Sequence, residues 1–367
     1  MKTKKIFLTG GGSAGHVTPN IALIEPLKKH GWTIEYVGTA NGIEKQLIEP
    51  LKLPYHTITT GKLRRYFSWQ NFTDPFKLLS GITKSYFLCL TKKPDVVFSK
   101  GGFVSFPLVV GAWLNRIPVI LHESDTSPGL ANKLSLPFVK HACITFPESA
   151  KYFKKTIKTH LTGTPIRADI LQGDQQRGLT FLNLKHDKPI ILIICGSVGS
   201  TKVNTVVRQA LTALLEHYAI IHLCGKNDID PSLKHHKDYR QFEYLNQELG
   251  DVFACADLVV SRAGANSLYE IQALKKPSLL VPFPKIRSRG EQVTNAYTAK
   301  NNGFSEVVEE DKLTSETLIQ TLVAMFSHYQ AYQNKLNKHP VSDSVTAIIK
   351  LIETHAPRSG SRGQAAG

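Results

Sequence analysis

The 367-residue sequence predicts an α/β protein made of two doubly wound domains. Two observations carry that prediction. Short apolar, β-branched runs alternate with stretches of helical period, the pattern of a parallel sheet covered by helices. The pattern then restarts halfway along the chain, and each half opens with strand, glycine-rich loop and helix. The length and a 42% hydrophobic content agree, being enough for two packed cores rather than one.

In the first half, Ile6 to Thr9 reads as a short buried strand, followed by a glycine loop and an apolar-periodic helix from about Asn20 to His30. Thr33 to Val37 is a second strand. Asp95 to Ser99 and Val119 to His122 are further strands, each announced by a turn signal, Lys93-Pro94 and Ile117-Pro118. In the second half, Lys188-Pro189 leads into the strand Ile190 to Cys195. Gly196-Ser197-Val198-Gly199-Ser200 follows, then a helix through Leu215. Ala219 to Cys224, Leu258 to Ser261 and Ser278 to Val281 are the next strands. The join is expected near Thr162-Gly163-Thr164-Pro165, giving domains 1–165 and 166–340. A last helix, about 341–355, is long enough to pack back on either domain, with the first as its expected partner. The Gly/Ser/Arg-rich residues 357–367 are expected to be disordered.

Charge is unevenly distributed. Residues 1–165 hold 22 Lys and Arg against 9 Asp and Glu, a net +13 of the chain's +16. A one-sided basic excess calls for an anionic partner: nucleic acid, an anionic membrane or a phosphorylated ligand. No basic strand interleaved with aromatic residues supports nucleic acid. The five cysteines are scattered without a C-x-x-C pair, so they are expected to be reduced and mostly buried, with no zinc signature. The basic start runs straight into a strand, unlike a signal peptide. No stretch approaches the roughly 20 apolar residues of a membrane span, so membrane contact would be peripheral.

The glycine loops carry the chemistry. Gly10-Gly11-Gly12-Ser13-Ala14-Gly15 satisfies G-x-G-x-x-G after a strand, and Glu35 lies 20 residues beyond Gly15. That is the dinucleotide fingerprint, in which glycines let backbone N–H groups approach a pyrophosphate at a helix N-terminus. Glu35, however, falls inside the expected strand, poorly placed for a ribose. Two more loops favour a nucleoside diphosphate in the second domain: Gly196 to Ser200, and Ser261-Arg262-Ala263-Gly264-Ala265-Asn266-Ser267-Leu268-Tyr269-Glu270. Glu270, a turn or so into the helix, could accept two ribose hydroxyls.

These residues, with Lys100-Gly101-Gly102-Phe103-Val104-Ser105-Phe106-Pro107, His122-Glu123-Ser124-Asp125, Gly163-Thr164-Pro165-Ile166-Arg167 and Gly290-Glu291-Gln292, resemble the MurG family over about Lys4 to Glu353. The resemblance implies the GT-B architecture, two Rossmann-like domains separated by a cleft, with the donor held mainly by the second. It implies inverting transfer of N-acetylglucosamine from UDP-N-acetylglucosamine to the C4 hydroxyl of undecaprenyl-diphospho-N-acetylmuramoyl-peptide; no cofactor or metal is expected. By the same similarity Ser197 contacts the diphosphate and Arg167 lies near the donor. The backbone of Leu245 reads uracil while Tyr244 packs on it. Gly264, Ala265, Asn266, Ser267, Leu268, Tyr269 and Glu270 line sugar, phosphate and ribose, and Gln292 touches the sugar hydroxyls. Ser13, Ala14 and Gly15 face the acceptor diphosphate and the transferred sugar. Many relatives carry His-Glu-Gln-Asn where this chain has His122-Glu123-Ser124-Asp125, so the amide on the donor sugar becomes Asp125, which only accepts hydrogen bonds when ionised.

Inverting transfer needs a base for the acceptor hydroxyl and stabilisation of the departing UDP, which helix N-termini and backbone N–H groups supply. No Asp-x-Asp motif appears in the expected donor loops. His16 is the candidate base, with Asp125 and Glu123 as competitors. Domain closure would hinge near Gly163. Phe72, Phe76, Leu79 and Ile82 fall on one face of a helix, with Lys62, Arg64, Arg65, Lys77 and Lys84 around them in sequence. Spacing alone favours a stripe buried in the core. The resemblance, which puts an exposed apolar patch ringed by basic residues here and includes Trp113, turns the expectation to an anionic membrane surface. The expected location is therefore peripheral, on the cytoplasmic face of the cell membrane, where other cell-wall synthesis and division proteins are possible partners. The alternatives are a diacylglycerol glycosyltransferase of the same fold and a non-catalytic nucleotide-binding module.

Overall fold

The computed structural model describes residues 4–61, 70–196, 199–287 and 290–356, with side chains at all of these except 70–73 and 287. The chain divides into two units, Met1–Ile166 with Ser342–Gly367 and Arg167–Val341.

The first unit is built on seven strands: β1 (Lys4–Thr9), β2 (Trp32–Gly38), β3 (Tyr55–Thr57), β4 (Val96–Ser99), β5 (Val119–Glu123), β6 (His141–Ile144) and β7 (Lys158–Leu161). They form one parallel sheet in the order β3-β2-β1-β4-β5-β6-β7. The helices are α1 (Thr18–Lys29), α2 (Ile43–Ile48), α3 (Gln70–Lys92), α4 (Phe106–Leu114) and α5 (Leu130–Ser135). Central strands read as continuous apolar runs because both faces are covered: Ile6, Phe7, Leu8, Val96, Val97 and Phe98 are all fully buried.

The second unit opens with α6 (Ala168–Leu171) and α7 (Gln175–Leu182). Its parallel sheet contains β8 (Ile190–Ile194), β9 (Ala219–Leu223), β10 (Tyr239–Phe242), β11 (Leu258–Ser261), β12 (Ser278–Leu280) and β13 (Ser305–Val307), ordered β10-β9-β8-β11-β12-β13. Around it run α8 (Thr201–His217), α9 (Leu249–Cys255), α10 (Ala265–Ala273), α11 (Glu291–Asn301), α12 (Ser315–Ser327) and α13 (Tyr329–Lys338). Helix α8 forms for legible reasons. The Ser200 side chain caps it by accepting from Val203 N. Val203, Val206, Val207, Ala210, Leu211, Leu214 and Leu215 then recur at three- and four-residue spacing and are buried.

The last helix, α14 (Ser344–His355), belongs to the first unit. Its Ile348, Ile349, Leu351 and Ile352 pack in one core cluster with Leu23, Leu27, Trp32 and Ile34. Each such burial is worth about 1.5–3 kcal/mol. Asp343 caps its start, His30 Nδ1 lies 2.9 Å from Glu353, and the His355 ring stacks 3.7 Å from that of His141.

The strands read from sequence lie where expected to within two residues. Five others were not read: β3, β6, β7, β10 and β13. They have three or four residues each and are interrupted by polar side chains, as in Tyr55–Thr57 and Lys158–Leu161. All five cysteines are buried free thiols.

Candidate active site

In each sheet the strand order reverses once, between β1 and β4 and between β8 and β11. The carboxyl edge beside such a reversal is where open α/β sheets bind ligands, because the flanking loops diverge there. The glycine-rich loops singled out from sequence follow these four strands.

In the first unit, the loop after β1 turns at Gly12 with φ +82°, a backbone region that disfavours a side chain. It then enters a single 3-10 turn, Ala14–His16. His16 is half-buried, and its Nδ1 lies 2.9 Å from Ser13 Oγ. With Nδ1–H donating to Ser13, the Nε2 lone pair is the basic one. The loop after β4 packs tightly on this turn. A Cβ on Gly102 would fall 2.2 Å from Gly11 O and 3.2 Å from His16 Nδ1.

Beneath these loops lies a buried polar network. Lys100 is 1% exposed, and its ammonium donates to His122 Nδ1 at 3.0 Å and to Ser124 Oγ. His122 Nε2 in turn donates to Gly163 O at 2.9 Å, next to the passage between units. Burial and Lys100 hold His122 well below its ordinary value, so it is neutral. Burial also lowers the Lys100 ammonium, opposed by Glu123 and Asp125. The Glu123 carboxylate accepts from Asp125 N at 2.9 Å, Gly129 N at 3.1 Å and Asn132 Nδ2 at 2.7 Å. Those bonds occupy both its oxygens and brace the β5–α5 loop, while burial and Asp125 push the Glu123 carboxyl up to about 7. Asp125 is half-buried in the same loop. Glu35 points elsewhere. It pairs with Lys5 Nζ at 2.9 Å and His56 Nε2 at 2.5 Å; burial raises its pKa, but these two partners outweigh burial and hold it below the ordinary value.

In the second unit, the loop after β8 carries Gly196 and Gly199 at φ +80° and +76°. A Cβ on Gly199 would sit 2.0 Å from Cys224 O. Ser197 lies outside the described residues. Arg262, after β11, bonds Ser200 Oγ at 2.6 Å and Val281 O at 3.1 Å, pairs with Glu310 and lies over the Phe283 ring. It staples the two loops together. Gly264 caps α10, which carries Glu270. Leu268 and Tyr269 turn into the core, whereas Asn266, Ser267 and Glu270 are half-exposed; Ala265 is buried in the first turn. Burial pushes the Glu270 carboxyl up to about 7, opposed by Arg167 and reinforced by Asp169. Arg167 itself lies 3.5 Å from Asp169. Tyr244 is 53% exposed beside buried Leu245. Gln292 Oε1 accepts from Phe283 N at 3.0 Å, which fixes its amide. Among the described residues no cluster of His, Cys, Asp or Glu is arranged to hold a metal.

The apolar stripe of α3 faces solvent. Phe76 is 76% and Leu79 62% exposed, and Phe87 and Leu90 continue the face; Ile82, expected in the patch, is half-buried at its edge. The face turned toward α4 carries Gly81, Ser85 and Cys89 instead, and a Cβ on Gly111 of α4 would meet Ser85 Cβ at 2.7 Å. Close helix packing there needs small residues, so the large ones are left outside. Trp113, half-exposed at the end of α4, makes an edge contact with Phe138 at 5.2 Å. Lys62, Arg64, Arg65 and the Phe72 side chain lie outside the described residues, as do residues 357–367. Among the described residues no helix is long and apolar enough to cross a membrane.

Sequence reasoning quoted Lys100 within a motif without giving it a role, and passed over Glu44 and Asn132. A charged residue between a β-branched strand and two glycines was the available signal for Lys100. Glu44, in a segment to which no element was assigned from sequence, gave none.

Comparison with known proteins fits this geometry. The N-terminal domain of glycosyltransferase family 28 matches residues 6–144, and the C-terminal domain of that family matches residues 190–352. The UDP-N-acetylglucosamine--N-acetylmuramyl-(pentapeptide) pyrophosphoryl-undecaprenol N-acetylglucosamine transferase of Legionella pneumophila (strain Lens) is 50% identical over 351 residues, 96% of this chain and 97% of its own. The protein of the same name from Clostridium perfringens (strain SM101 / Type A) is 49% identical over 356 residues, 97% and 99% of the two chains. The crystal structure of Acinetobacter baumannii MurG aligns with a TM-score of 0.76 at 23% identity, covering 96% of this chain and 99% of that one. The fold is the two-domain GT-B architecture.

Proposed function

The chain belongs to glycosyltransferase family 28, and on that premise we propose how its two switch-point sites divide one reaction. It transfers N-acetylglucosamine from UDP-N-acetylglucosamine to the C4 hydroxyl of the undecaprenyl-diphosphate-linked N-acetylmuramoyl-peptide. The observation that carries this is the near-full-length identity of about half with transferases whose names state that donor and that acceptor.

In this reading the second unit holds the donor. The loop after β8 and the start of α10 present backbone N–H groups to the diphosphate, and Glu270 takes the ribose hydroxyls. Tyr244 lies on uracil, and Gln292 meets the sugar. The leaving UDP gains negative charge as the glycosidic bond breaks, and pre-aimed N–H groups stabilise it without reorganisation. The first unit presents the acceptor hydroxyl behind the anomeric carbon. His16 Nε2 removes its proton, with Ser13 holding Nδ1–H, and Asp125 is the alternative base.

The acceptor never leaves the bilayer, so the enzyme must reach the headgroup region. The solvent-facing stripe of Phe76, Leu79, Phe87 and Leu90, with Trp113 nearby and Lys77 and Lys84 on the same helix, supports peripheral attachment to an anionic leaflet. Each cation near such a surface adds about 1 kcal/mol.

The test is product formation from UDP-N-acetylglucosamine, UDP-glucose or NAD with a lipid-linked muramyl-peptide. Transfer from the first alone is expected. UDP release without a disaccharide product, or equal use of UDP-glucose with diacylglycerol, would overturn the assignment.

A further inference from the structure

Glu44 is a fully buried carboxylate, yet no described lysine, arginine or histidine pairs with it. Burying an anion without a cation is costly unless N–H and O–H donors replace its hydration. The donors here come from two loops. Glu44 Oε2 accepts from Gly12 N at 3.2 Å, while Oε1 accepts from Thr39 N at 3.0 Å and Thr39 Oγ1 at 2.5 Å. Tyr55 Oη donates to Thr39 O at 2.7 Å and fixes that residue from the other side.

The backbone is shaped around this carboxylate. A Cβ on Gly42 would fall 2.1 Å from Glu44 Oε1, one on Gly11 2.6 Å from Oε2, and one on Gly38 2.8 Å from its Cγ. Three glycines therefore leave room for one side chain. Gly38 ends β2, Gly42 precedes α2, and Gly11 belongs to the glycine loop after β1.

We propose that Glu44 is a positioning residue for the transfer reaction: it clamps the Gly12 N–H and so sets the turn that places Ser13 and His16. Gly12 stands at φ +82°, and the chain runs straight from it into the 3-10 turn that carries His16. Releasing its N–H lets that turn rotate, which moves His16 Nε2 relative to the acceptor hydroxyl. The Gly12 N–H is thus committed to Glu44 rather than to a ligand phosphate, which departs from the role its motif suggests. The kinetic part of this inference rests on the transferase reading; the clamp itself does not.

Amide hydrogen exchange at Gly12, donor affinity and steady-state transfer are measured for Glu44→Gln, Glu44→Asp and Glu44→Ala. Glutamine keeps the reach and one carbonyl oxygen for Gly12 N–H but loses the charge and turns its NH2 toward Thr39, whose Oγ1 can accept it while the Thr39 N–H loses its partner. Aspartate keeps the charge but is one methylene short. The clamp predicts slow Gly12 exchange and near-normal kcat in Glu44→Gln. It predicts fast exchange and kcat lowered on the order of 100-fold in Glu44→Asp, the scale of a misplaced catalytic group. UDP-N-acetylglucosamine affinity, held mainly by the second unit, stays within about twofold in both, and a melting temperature close to wild type reports that the first unit, which contains Glu44, is intact. Glu44→Ala behaves as Glu44→Asp where it folds. An aspartate variant more active than the glutamine variant makes the charge, not the reach, decisive and overturns the proposal. Unchanged kcat alongside fast Gly12 exchange overturns it as well. If wild type transfers no sugar, the transferase reading fails while the exchange data still decide the clamp.

Discussion

Replacing Phe76 and Leu79 together by serine tests the membrane face quantitatively. Full transfer of a Phe or Leu side chain out of water is worth about 1.5–3 kcal/mol. Scaled by exposures of 76% and 62%, the two side chains offer about 2–4 kcal/mol to a leaflet. Their loss should weaken vesicle binding by roughly 30- to 800-fold, since each 1.4 kcal/mol is tenfold. The fold should hardly notice, because neither side chain is buried against protein; a core pair would cost about 3 kcal/mol or more per residue. The assay is sedimentation with anionic phosphatidylglycerol vesicles, with melting temperature and donor affinity measured in parallel. Binding should also weaken as salt rises, because the Debye length shrinks from about 8 Å at 0.15 M to about 3 Å at 1 M. A variant that melts well below wild type, or that still sediments as wild type does, refutes the reasoning.

Three further outcomes follow from the site. His16→Ala should lower kcat by roughly 100- to 10,000-fold with little change in donor affinity; unchanged turnover at saturating acceptor would move the base to Asp125. Glu270 binds ribose hydroxyls best when ionised, and its carboxyl sits at about 7 in the free protein. Donor affinity measured by calorimetry should therefore fall as pH drops below about 7, by up to tenfold per unit, and level off above it. Glu270→Gln should abolish that dependence, and a pH-dependent glutamine variant would clear Glu270 of the role. Lys100→Met leaves His122 Nδ1 and Ser124 Oγ without the buried ammonium that donates to them and should destabilise the first unit by about 1–3 kcal/mol; an unchanged melting temperature would show that the ammonium is dispensable.

Sequence by itself determined the alternation, the restart and the two sets of glycine loops. Long β-branched runs such as Ile190–Ile194 have few other fates, and a glycine between a strand and a helix marks a turn that a Cβ would obstruct. It also carried the family resemblance, and with it the donor loops in order. The short polar strands were not legible, because Tyr55–Thr57 and Lys158–Leu161 owe their conformation to a neighbour's hydrogen-bond ladder rather than to their own side chains. The docking of α14 on the first unit was likewise decided at a distance, by apolar partners more than 300 residues earlier such as Leu23 and Leu27. Periodicity placed Phe76 and Leu79 on one face of α3 but could not say what that face meets. Tertiary structure decided it, because Gly81, Ser85 and Gly111 let α3 and α4 approach on the opposite side. Glu44 is the sharpest case: a lone glutamate there is ordinary in sequence, and only the fold brings Gly12, Thr39 and the three glycines Gly11, Gly38 and Gly42 around its carboxylate. Local pattern fixes which groups a segment offers, whereas burial and long-range packing fix which of them are left facing one another.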